Sequence, residues 1–81
     1  MSHRITCAPP ADDTLAKMPD ARAFREAMAR TVGRDPYGHG STAVRGERDR
    51  REVTVLGAIV LYYVSGSVLT VTVVRLVPGV S

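Results

Sequence analysis

The sequence has one cysteine, one lysine, one phenylalanine and no tryptophan. A lone Cys7 excludes an intramolecular disulfide, so this is not a stapled secreted domain. Cys7 has no CxxC partner and sits in an alternating apolar stretch, which reads as a small buried hydrophobe. The opening MSHRITCAPP lacks an apolar core of signal-peptide length, so a cytoplasmic chain is expected. With ten arginines against one lysine, the basic character is almost wholly guanidinium. That bias fits a GC-rich coding sequence, and it also suits phosphate recognition. At 81 residues, 44% hydrophobic and 23% charged, the chain holds a single domain, residues 1–81, with a thin core.

Charge is also missing from Val53 to Val74, a run of twenty-two residues. This is long enough for a transmembrane helix, and the basic stretch before it would suit the positive-inside rule. Its composition points elsewhere. Twelve of the twenty-two are Val, Ile or Thr, which favour pleated strands. Ser65-Gly66-Ser67 reads as a turn near the middle, and Leu69, Val71 and Val73 then alternate with Thr70 and Thr72. Before the turn, Ala58 to Val64 is continuously apolar, as a strand buried on both sides would be. Gly57 separates this strand from another at Glu52 to Leu56. The run therefore predicts a three-stranded antiparallel meander and no membrane span.

Upstream, His3 to Ala8 alternates as a half-buried strand, stopped by Pro9 and Pro10. Ala11 to Lys17 predicts a short helix with Asp12 and Asp13 in its first turn. Past Pro19, Asp20 caps a second helix, Ala21 to Val32, with an apolar stripe at Phe24, Met28 and Val32. Arg22–Glu26 and Glu26–Arg30 are its i,i+4 pairs. Gly33 suits the C′ position. Asp35 to Ser41 (DPYGHGS) is a turn, with no Lys-Ser/Thr after it as a P-loop requires. Arg45 to Arg51 (RGERDRR) reads as a solvated hairpin or loop end. No metal or cofactor is expected.

Strand, helix hairpin, then meander is an α+β order. In it the chain resembles the RelE/ParE superfamily, small basic toxins of bacterial type II toxin–antitoxin pairs. The resemblance is carried by RITCAPPADDTLAKMP at the start, the DPYGHG turn, Val44-Arg45-Gly46 leading into the sheet, and the strand pair Tyr62-Tyr63-Val64 with Val68-Leu69-Thr70-Val71. It implies a RelE/ParE-like fold and a toxin that cleaves messenger RNA on the ribosome. A cognate antitoxin is implied as partner, covering one sheet edge, with a homodimer as another way to cover it. RNA cleavage needs an activated 2′-oxygen, a stabilised phosphorane and a protonated leaving oxygen. Where the family carries strand arginines, this chain has Val53, Val55 and Val60, and it reaches Val80-Ser81 where the family's last basic and aromatic residues would come. The remaining catalytic candidates are Arg51 and Arg75, expected on neighbouring strands around one phosphate, and His39 as a base. Arg45, Arg48 and Arg50 are candidate RNA-binding residues. So are Tyr62 and Tyr63, which should point to opposite faces of one strand. Two other readings stand beside this one. The first is a non-nucleolytic member, aimed at DNA gyrase as ParE-type toxins are or bound only by its antitoxin. The second is a single-span membrane peptide or a small homodimeric module.

Overall fold

The computed structural model describes residues 3–79; Val80 and Ser81 lie outside the described residues. The elements run β1 (Arg4–Cys7), α1 (Pro9–Ala16), α2 (Ala21–Arg30), β2 (Thr42–Val44), β3 (Glu47–Val55), β4 (Ala58–Ser65) and β5 (Thr70–Val77), with a 3₁₀ turn at Gly66–Val68 between the last two. The five strands form one sheet in the order β1-β5-β4-β3-β2. β1 is parallel to β5, and the other pairs are antiparallel.

The prolines that end β1 also begin α1. They occupy the first two helical positions, where a missing N–H costs nothing, so the helix starts two residues earlier than Ala11. Asp20 caps α2 as expected, its carboxylate accepting from the Ala23 N–H at 3.2 Å. α2 ends at Arg30, before Val32, and the Thr31 hydroxyl donates back to the Ala27 carbonyl. Gly33 is not left-handed. Its N–H donates to the Met28 carbonyl, and a Cβ there would meet the Ala29 carbonyl at 2.8 Å and Ile5 at 3.3 Å. The need is for close approach to β1. Arg22–Glu26 forms at 3.7 Å, whereas Glu26–Arg30 does not form an ion pair among the described residues.

Both helices lie on one face of the sheet. Leu15, Phe24, Met28 and Val32 pack there against Val60, Tyr62, Val71 and Val73, all buried. β4 shows the clearest departure from expectation. Ala58, Val60, Tyr62 and Val64 point into this core, but Ile59 and Tyr63 are 41% and 46% exposed on the far face. The continuous apolar run marks a strand with one covered face and one bare apolar face. The charge-free run is divided among three strands, and no helix among the described residues is long and apolar enough to cross a membrane. The single-span reading is therefore replaced by the meander.

β3 is longer than expected because the arginine-rich run is its first half. The solvated turn is only Arg45-Gly46, with φ of 54° and 74°, and the short β2 enters it. Leu56-Gly57 repeats this geometry between β3 and β4, with φ of 48° and 81°. Two left-handed residues in succession make the tight turn whose twist matches a hairpin.

Candidate functional site

Arg51 follows the alternation set by Val53 and Val55 and turns toward the helix side, opposite buried Tyr62 on β4. There its guanidinium is committed. Nε donates to the Ser41 hydroxyl at 3.0 Å, a terminal nitrogen to the Ser41 carbonyl at 3.2 Å, and the other to the Arg48 carbonyl at 3.1 Å. It also lies 5.3 Å from the centre of the Tyr37 ring, with Arg48 at 5.0 Å from the same ring. Tyr37 donates to Asp49 at 2.7 Å, and the buried Tyr62 hydroxyl donates to the Pro36 carbonyl. These contacts latch the 35–41 loop to the end of the sheet. Tyr37, Ser41 and Asp49 were not singled out in the sequence. An aromatic residue inside a Pro/Gly-rich turn was the available signal.

Arg75 sits elsewhere. β4 lies between β3 and β5, so Arg51 and Arg75 are not on neighbouring strands. They also face opposite ways. The β4–β5 register slips between Leu61 and Tyr62, leaving Val74 as an extra residue, and both Val74 and Arg75 stand on the outer face, away from the helices. The expected shared phosphate grip does not form. His39 is exposed in the loop with φ of 57°, and it borders a pocket with Arg30, Thr31 and Val55 on the helix side. Neither Arg75 nor Arg51 lines that pocket.

Tyr62 and Tyr63 divide between the faces as expected, the first buried in the core and the second outside. The outer face brings Tyr63 together with Arg45 and Arg50. They line a shallow groove of about 340 Å³ with Val44, Leu61 and Val74, and Arg51 and Tyr62 also border it. Arg50 is held by Glu47 at 3.4 Å, and both remain solvent-accessible. Arg75 stands beside this groove, opposite Leu61. The outer face is thus an apolar floor with a guanidinium rim, suited to stacking a planar group and pairing with anionic oxygens.

Among the described residues, no side chain with a shifted pKa is poised to act as a base near neutral pH. The hydrogen bond to Asp49 pushes the Tyr37 phenol up, and burial pushes Tyr62 up. Burial likewise raises the Cys7 thiol, which packs against the core but is only half-buried, less than the buried hydrophobe expected. All three stay protonated at pH 7.

The sequence matches no protein-family model and no curated protein. Solved structures do match. A chain of the RelBE2 toxin–antitoxin complex of Mycobacterium tuberculosis superposes with a TM-score of 0.78 at 20% identity, covering 96% of this chain and 99% of that one. The isolated E. coli RelE toxin gives 0.76 at 16% identity, covering 99% and 87%. A chain of the archaeal RelE–RelB complex of Pyrococcus horikoshii gives 0.60 at 19%, covering 96% of each. This chain has the RelE fold. The likeness runs through every element from β1 to β5, so the strand–hairpin–meander order expected from the sequence is borne out. In that frame, Arg45, Arg50 and Arg75 lie along the outer face and Arg51 fastens a loop.

Proposed function

We propose that this chain is the toxin of a type II toxin–antitoxin pair, and that it stops translation by cleaving messenger RNA on the ribosome. The observation that carries the reading is the fold agreement with RelE and RelBE chains over nearly the whole length of both partners. The outer face adds chemical support. Arg45, Arg50 and Arg75 would hold backbone phosphates and stabilise a phosphorane, while Tyr63 would stack on a base. The antitoxin would be an acidic partner, matched to a chain of net charge +3.

The separation of Arg51, Arg75 and His39 favours a second reading of the same fold. In it the toxin binds a protein target such as DNA gyrase, or only its antitoxin, and cuts no RNA. The discriminating experiment adds purified protein to ribosomes stalled on a message and maps 5′-ends by primer extension. New ends that disappear in an Arg45→Ala, Arg50→Ala, Arg75→Ala variant support the nuclease. Intact message, together with growth arrest on expression in a bacterial host, supports the protein-binding toxin.

A further inference from the structure

One register row crosses the outer face from β3 through β4 to β5. Glu52 pairs with Leu61, and Leu61 pairs with Arg75. The row reads acid, apolar, base. Glu52 and Arg75 are both exposed, and neither has an ion-pair partner among the described residues. The adjoining row on one side is Thr54, Ile59 and Val77, neutral throughout. On the other side it is Arg50, Tyr63 and Thr72, where Arg50 is already paired with Glu47.

The geometry points to a second copy of this chain as the occupant of this face. The two outer faces pack together about a twofold axis running along β4, so that Glu52 of each copy meets Arg75 of the other across a central Leu61–Leu61 contact. A twofold rotation about that line carries β3 of one copy over β5 of the other and leaves β4 on β4. Each acid then lies opposite a base, twice, as an isologous interface requires. Facing sheets pack about 10 Å apart with strands roughly aligned, which is the spacing that apolar side chains such as Ile59, Leu61 and Val74 fill. Arg50 comes over Thr72 and Val74, so no like charge faces it. Arg45 approaches Arg4 of the other copy only at a solvent-exposed corner, where screening makes the repulsion small.

β3, β4 and β5 pair over six or seven residues, β1 over four and β2 over three, so strands about 4.8 Å apart present roughly 400 Å² per copy. The total of roughly 800 Å² lies below the ~1,000 Å² floor for a stable specific interface, so the dimer should be weak and transient, with Kd on the order of 10–100 µM. The pairing covers Tyr63, Arg50 and Arg75. That it thereby stores the protein in a form unable to take RNA rests on the proposed function; the dimer itself does not.

The test is sedimentation equilibrium of the full chain from about 1 to 200 µM, a range that brackets the Kd expected of so small an interface. Circular dichroism checks that each variant is folded. Wild type should pass from a single 8.7 kDa species to a dimer. Glu52→Arg alone and Arg75→Glu alone should each weaken the dimer by about tenfold or more, since like charges then meet at both contacts. The double variant should dimerise again, and so should an equimolar mixture of the two single variants. A wild type that stays monomeric throughout, or a dimer indifferent to both reversals, overturns the proposal. Sedimentation reads association without reference to toxicity, so this proposal and the proposed function fail separately.

Discussion

Replacing Arg51 by alanine asks whether this residue is a fastener or a catalyst. The side chain makes three hydrogen bonds, two to Ser41 and one to the Arg48 carbonyl, and lies against the Tyr37 ring. Hydrogen bonds from a charged donor contribute about 1.5–3 kcal/mol each in isolation. Here they share one half-exposed side chain and are not additive, so a total loss of about 2–3 kcal/mol is expected. For a domain of this size each kcal/mol moves the midpoint by about 4–8 °C, giving a fall of about 10–20 °C. Arg51→Lys keeps the charge but loses the planar fork, so it should recover less than half of that. Thermal denaturation followed by circular dichroism measures the fall. Hydrogen exchange at Ser41 to Val44 shows whether the loop and β2 come loose. An alanine variant that melts within about 1 °C of wild type, with those amides still protected, refutes the latch and returns Arg51 to the list of catalysts.

Asp20→Ala removes the α2 cap and should cost about 1 kcal/mol, read as a lower urea midpoint with unchanged slope. Gly33→Ala drives a Cβ against the Ala29 carbonyl and Ile5, and should cost about 1–3 kcal/mol in the same titration. Tyr37 and Tyr62 hold their protons more tightly folded than unfolded. Their contribution is therefore fully present below the unfolded phenol pKa of about 10 and is lost as pH rises through the higher folded values. Melting temperature should fall above about pH 10, less steeply in Tyr62→Phe; an equal slope in that variant contradicts the assignment. Cys7, raised by burial, should react with a disulfide reagent at pH 8 much more slowly in the folded chain than in urea, and equal rates would place the thiol outside the core.

Much of this was legible because local rules and tertiary packing agree. Asp20 followed by an apolar stripe gave the cap and the buried face of α2, and the adjacent Tyr62 and Tyr63 had to split between two faces of one strand. The failures have physical causes. An unbroken apolar run shows that a strand is apolar on both sides, but not that something covers both, and β4 is covered on one. Alternation from Val71 and Val73 alone would turn Arg75 inward; the extra residue at Val74 turns it out, and a bulge leaves no clear mark in a valine-rich strand. The separation of Arg51 from Arg75 was already implicit in the meander, which puts one strand between its first and last. β2, three residues long, owes its place to its partner β3 more than to its own sequence.

The central claim is that the outer sheet face is the working surface and the helix side its scaffold. Growth of a bacterial host after induced expression tests this directly, comparing wild type with two triple-alanine variants of similar charge loss and confirmed fold. One removes Arg45, Arg50 and Arg75. The other removes Arg22, Arg30 and Arg34, all exposed and away from the outer face. The account predicts arrest by wild type and by the Arg22/Arg30/Arg34 variant, and normal growth with the outer-face variant. Arrest that survives loss of Arg45, Arg50 and Arg75 but disappears with Arg22, Arg30 and Arg34 would contradict it.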